Sequence, residues 1–149
     1  MTSCDTNILF VALEASRPGH AEARNFLDAH RDDPEFGLCE LVLVELYVLL
    51  RNPVIARKPL GSSEAVEIIQ TLRSNPRWDL FDYPGPAARV MDALWEQAAA
   101  PKFPRRKVFD ARLALTLRHH GVTAFATANK KDFQEFGFKR LWNPLEEGR

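Results

Sequence analysis

Residues 41–50, LVLVELYVLL, are apolar at nine of ten positions, and Pro53 follows two residues after Arg51. The run is too long and unbroken for a strand of typical length, so it predicts a helix over residues 41–52, stopped by the proline. It is also well short of the roughly 18 residues of a membrane span. A helix apolar all round is expected to lie buried between a sheet and its neighbours, so the chain must build layers around it. One residue does not fit: Glu45, in the middle of the run. Burying an ionised carboxylate without a partner is very costly. Positions 41, 42, 48 and 49, one turn away, are Leu, Val, Val and Leu. Glu45 therefore has to be protonated, paired with a base from elsewhere in the fold, bound to a cation, or placed at the rim of its helix.

The rest of the chain alternates strand-like and helix-like segments. Strands are predicted at 2–6, 36–40, 78–82, 122–127 and 138–143. Helices are predicted at 7–15, from Pro18 to about 32, from Ser62 or Ser63 to about 74, from Pro86 through 99, at 108–120, and briefly over KKDFQEF. Gly121 stops the helix at 108–120, and PKFPRRK at 101–107 is a basic loop. Such alternation predicts an α/β fold in three layers, a parallel sheet of about five strands with helices on both faces. At 149 residues the chain is expected to form one domain, 1–149. Its N-terminus lacks the basic start of a secretory signal, and Cys4 and Cys39 lack metal-ligand spacing. Both point to reduced cysteines in a cytoplasmic protein with no membrane segment.

Charge narrows the function classes. Formal net charge is zero, but residues 1–100 hold 9 Lys+Arg against 15 Asp+Glu, and residues 101–140 hold 10 against 3. A basic third beside an acidic remainder suits an anionic partner on one face. Three further stretches share Glu45's oddity. Asp5 ends the first strand in CDTNIL, Asp110 is the only acid in the helix VFDARLALTL, and Asn129 and Asp132 follow the fourth strand in FATANKKDF. Each has a plain structural role available, as a helix cap, a first-turn acid or an ion-pair partner; Asp132 in particular suits a cap. Together they point elsewhere. In open parallel sheets, sites form beyond the carboxyl ends of the strands. Carboxylates gathered there repel and raise one another's pKa, a conflict that a hard divalent cation such as Mg²⁺ or Mn²⁺ relieves. Such a site activates water against a phosphodiester, and the basic segment suits that substrate.

Other chemistries fit less well. CDTNIL has no glycine for a dinucleotide-binding turn, and no Walker-type loop is present. A phosphatase with Asp5 as nucleophile wants a second acid where Asn7 stands. No Ser or Cys has a plausible His partner, since His119 and His120 end a helix.

The order CDTNIL, LVLVELYVLLRNP, VFDARLALTLRHHG, FATANKKDF resembles a PIN domain over nearly the whole chain. Within that superfamily it is similar to the VapC-type toxins of prokaryotic toxin–antitoxin pairs. The resemblance implies a Mg²⁺-dependent endoribonuclease, with Mn²⁺ able to substitute. By position, Asp5, Glu45 and Asp110 match the family's three metal-holding acids, Thr6 the small hydroxyl beside the first, and Asn129 a fourth position that is often Asp. Asp132 is a supporting residue, and Arg105, Arg106, Lys107, Lys130 and Lys131 are expected to contact the RNA backbone. A cognate antitoxin and a homodimer are the implied partners. A non-catalytic PIN-like RNA-binding or scaffold module is the alternative, and it is expected to have lost one or more of the acids.

Overall fold

The computed structural model describes residues 1–82 and 87–146. Five short strands, β1 (Thr2–Cys4), β2 (Gly37–Cys39), β3 (Asp79–Phe81), β4 (Ala124–Ala126) and β5 (Arg140–Trp142), alternate with seven helices among the described residues. These are α1 (Thr6–Leu13), α2 (His20–Ala29), α3 (Glu40–Arg51), α4 (Ser62–Arg73), α5 (Ala88–Ala98), α6 (Lys107–His119) and α7 (Lys130–Phe133). All strand pairs are parallel. β1, β4 and β5 form one ladder and β2 and β3 a second. A single bridge between Thr2 and Phe36 joins them, with the Thr2 N–H donating to Glu35 O at 2.6 Å. The order across the sheet is thus β3-β2-β1-β4-β5.

That order places the site. Parallel crossovers are right-handed. The chain steps outward from β1 to β2 and β3 beneath α1–α4, then returns past β1 to β4 and β5 beneath α5–α7. Packing agrees: α1 contacts α2 and α3, α3 contacts α4, and α6 packs against α5 and α7. The direction of winding reverses between β1 and β4, and a crevice opens there at the strands' carboxyl ends. β1 and β4 run in register, Thr2 beside Ala124 and Cys4 beside Ala126. The ladder extends one step further through Asp5 N–H to Ala126 O at 2.9 Å. The residues that end these strands, Asp5 and Thr127, therefore come out side by side.

The core is filled by Ile8, Leu9, Leu38, Leu43, Leu46, Leu117 and a run of aromatics. Phe36 packs on Phe26 and Trp78, and Phe125 packs on Phe133 and Phe138. Gly37 is required where β2 meets β3, because a Cβ there would lie 2.5 Å from the Phe81 ring. Both cysteines are free and buried, and no helix of the described residues is long and apolar enough to cross a membrane.

Several local expectations are corrected. α2 begins at His20 after Gly19, whose φ is 85°, so Pro18 belongs to the preceding turn rather than to the helix. α4 is capped by Gly61, whose N–H donates to the Glu64 carboxylate at 3.0 Å, and Ser62 is its first residue. Pro86, read as the opener of α5, lies outside the described residues. The largest correction concerns α3. It is not buried all round: Val42, Leu43, Leu46 and Leu50 face the core, while Val44 and Val48 are 64% and 56% exposed. Glu45 lies on the open side too. The helix covers the sheet with one face only, so Glu45 does not need the buried partner that an all-round apolar helix implied.

Candidate active site

The cleft at the winding reversal has a volume of about 440 Å³. Its floor is Asp5, Thr6 and Asn7 at the start of α1. One wall is α3, with Leu41, Val44, Glu45 and Leu49, and the other is α6, with Arg106, Phe109, Asp110, Arg112 and Leu113. Asn129 closes the side next to β4. The three acids singled out in the sequence, from positions 5, 45 and 110, thus line one cleft.

Each is held by a local device. Asp5 stands at the N-cap of α1 in extended conformation, and its Oδ1 accepts from the Thr6 N–H at 2.8 Å. Its Oδ2 accepts from the Asn7 amide at 2.8 Å and from the Thr127 hydroxyl at 2.7 Å. Only 7% of Asp5 is exposed. Thr6 is buried, and its hydroxyl donates to Glu45 Oε2 at 2.9 Å, with Val42 O a second acceptor at 3.2 Å. Thr6 therefore couples the floor to α3. Asp110 sits half-buried in the first turn of α6.

The electrostatics are those of carboxylates gathered in a partly buried cleft. Burial raises the Asp5 carboxyl to about 6, and Glu45 and Asp110 push in the same direction, against the lowering hydrogen bonds from Thr127 and Thr6. Burial also raises Asp110, with Asp132 and Glu45 adding to it, while Lys107 and Arg106 partly offset the rise. Among the described residues no three or more His, Cys, Asp or Glu side chains stand close enough together to hold a metal ion directly. The oxygen-only donor set, its mutual repulsion and the open cleft instead suit a hard divalent cation that keeps several of its waters.

Two residues essential to this arrangement were not identified from the sequence. Thr127, fully buried, donates to Asp5 Oδ2 and accepts from the Asn129 N–H at 3.0 Å. Asn7 donates to Asp5 and accepts from the Ala128 N–H at 3.1 Å, which latches the end of β1 to the end of β4. The usable signal was position: Thr127 ends β4 just as Asp5 ends β1, and in-register parallel neighbours end together. Thr127→Val keeps the shape but leaves Asp5 Oδ2 and the Asn129 N–H each short of a partner. Stability should fall by about 2 kcal/mol and activity by roughly 10–100-fold, while Thr127→Ser keeps both. Chemical denaturation and turnover measured on the same preparations check this.

The remaining candidates divide. Asn129 lines the cleft, stands at the N-cap of α7, and makes no side-chain cap hydrogen bond. Asp132 was expected to cap that helix. Among the described residues its carboxylate accepts no backbone N–H, and its charge acts on Asp110 instead. Of the basic residues, Arg106 lines the cleft. Lys107 pairs with Glu135 at 2.6 Å and Lys130 with Glu146 at 3.2 Å, whereas Arg105 and Lys131 are exposed.

The PIN domain family model matches residues 3–139. The chain is 50% identical over 145 residues to Ribonuclease VapC24 of Mycobacterium tuberculosis, covering 97% of both proteins. Among solved structures it is similar to M. tuberculosis VapC20, a sarcin–ricin loop cleaving toxin, with a TM-score of 0.64, 19% identity, and coverage of 93% of this chain and 96% of that one. It is also similar to a toxin–antitoxin complex from Klebsiella pneumoniae, with a TM-score of 0.56, 21% identity, and coverage of 97% and 98%.

Proposed function

Because this chain belongs to the PIN-domain family, we propose that it is an Mg²⁺-dependent endoribonuclease and the toxin of a type II toxin–antitoxin pair. It works as one domain over residues 1–149, in the cytoplasm, as a homodimer held in check by a cognate antitoxin. Full-length identity of 50% to a ribonuclease supports the activity. The observation that carries the chemistry is the meeting of Asp5, Glu45 and Asp110 in one cleft at the winding reversal of the sheet. A scaffold module has no use for three mutually repelling carboxylates kept together.

Asp5, Glu45 and Asp110 hold the metal, directly or through water, and Mn²⁺ can take its place. When bound, such an ion lowers the pKa of a coordinated water and stabilises the charge that builds on a phosphodiester. The chain supplies the rest. Thr127 and Asn7 keep Oδ2 of Asp5 fixed and the Thr6 N–H keeps Oδ1, while the Thr6 hydroxyl aims Glu45 at the same space. Asn129 offers an amide at the cleft to orient water or a phosphate oxygen. Arg106 at the cleft, with the exposed Arg105 and Lys131, draws in the RNA backbone, and Lys107 and Lys130 contribute where RNA displaces their exposed acidic partners. The purified chain should cleave RNA when Mg²⁺ or Mn²⁺ is present, stop in EDTA, and resume when metal is restored. Co-expression with its antitoxin should suppress the cleavage. Undiminished cleavage in EDTA overturns the metal mechanism.

A further inference from the structure

One helical stripe of the cleft carries chemistry that metal binding does not use. Phe109 and Arg112 stand three residues apart on α6, so their side chains are neighbours, Arg106 precedes them at the N-cap of that helix, and all three line the cleft beside Asp110. Phe109 is 61% exposed, large and apolar, at the lip of a cleft whose floor is polar and whose α3 wall carries Leu41, Val44 and Leu49. The Arg112 guanidinium stands 5.9 Å from the centre of its ring. Core packing does not explain an aromatic in that position, because the core-facing residues of α6 are Ala111, Leu113, Ala114 and Leu117.

We infer that Phe109 is a nucleobase subsite: one unpaired base next to the cleaved phosphodiester stacks on its ring, while Arg106 and Arg112 hold the phosphates on either side. The pattern of an aromatic face between cations is how proteins grip single-stranded nucleic acid, since every base offers a π-face and every linkage a negative charge. Continuity with the carboxylate floor favours a nucleotide over an apolar peptide, because the occupant must bring a phosphate to the metal-holding acids. A base held in a duplex cannot reach the ring, so the subsite selects loops, bulges or single strands over paired RNA.

This inference rests on the ribonuclease reading above. The test uses the full chain carrying Asp5→Asn to prevent turnover, a short single-stranded RNA with 2-aminopurine placed at successive positions, and the matching duplex. Phe109→Ala should weaken single-strand binding about tenfold or more, leave the salt dependence unchanged, and abolish quenching at one nucleotide position. Phe109→Trp and Phe109→Tyr should retain both affinity and quenching, while Phe109→Leu should lose them as Ala does. Arg112→Ala should instead lower the salt slope by roughly one. Leu retaining full affinity, or Phe109→Ala altering the oligomeric state with RNA binding intact, would overturn the base subsite and leave the ribonuclease reading standing. If the chain with an intact site neither binds nor cleaves RNA, both fail.

Discussion

Asp5→Asn should abolish cleavage and, in the same molecule, stabilise the metal-free protein. Turnover is expected to drop by at least about a thousandfold, on the order of 4 kcal/mol of transition-state stabilisation. The substitution removes one of the three charges proposed to hold the metal and keeps the volume, although its amide nitrogen presents a donor where one Asp5 oxygen accepts. The stability change has the opposite sign. Burial and two neighbouring acids raise the Asp5 carboxyl to about 6, so at neutral pH the folded chain keeps a charge there that the unfolded chain carries at little cost. Removing that charge relieves on the order of 3 kcal/mol above pH 7, which the one lost hydrogen bond offsets by about 1 kcal/mol. A residue that merely capped α1 would lose stability on substitution, so denaturation without metal, read beside turnover with it, separates the two roles. Loss of both activity and metal-free stability would mean that Asp5 serves α1 rather than a cation.

The second large effect is a link between pH, metal and stability. Asp5 has a folded pKa of about 6 against an ordinary carboxyl value of 3.8, and Asp110 is raised as well. Between those values the folded state binds more protons than the unfolded state, so stability falls as pH rises through the window. Below about pH 4 both states are protonated and the stabilisation is complete; above about pH 6 it is gone. The metal-free protein should therefore melt roughly 5–10 °C lower at pH 7.5 than at pH 4.5 from these groups. Adding Mg²⁺ at pH 7.5 should recover much of the loss, because the cation replaces the protons, and adding it at pH 4.5 should recover little. Glu45→Gln should flatten the profile, since Glu45 is one of the charges that raise both groups. A melting temperature that rises from pH 4.5 to 7.5 without metal, or a Mg²⁺ effect independent of pH, would show that the acids do not share a field.

The sequence by itself determined the class of fold and the identity of the acids. Hydrophobic period and turn residues are local, and they mark strands and helices in alternation, which admits few architectures other than a covered parallel sheet. Glu45 and Asp110 were legible because each is a carboxylate in an apolar helix, a conflict visible without coordinates, and Asp5 because it ends the first strand directly before a helix. The reasoning for Glu45 was nonetheless wrong in one premise. Periodicity cannot tell a helix sunk in the core from one that covers a sheet with a single face, and α3 is the second kind, with Val44 and Val48 in the open. What only the tertiary structure decided was which residues stand beside the acids. Thr127 is 122 residues from Asp5 along the chain, yet donates to it at 2.7 Å, a contact that exists because β1 and β4 pair in register. Nothing in the spacing of VFDARLALTL marks Phe109 as exposed; the packing of α6 turns it outward onto the cleft. Lys107 and Lys130 looked like open cations until the fold brought Glu135 and Glu146 to them. Residue type and spacing carry local chemistry. Pairing across the sheet and the rotation of a helix about its axis depend on contacts distant in sequence, and these assemble the candidate site.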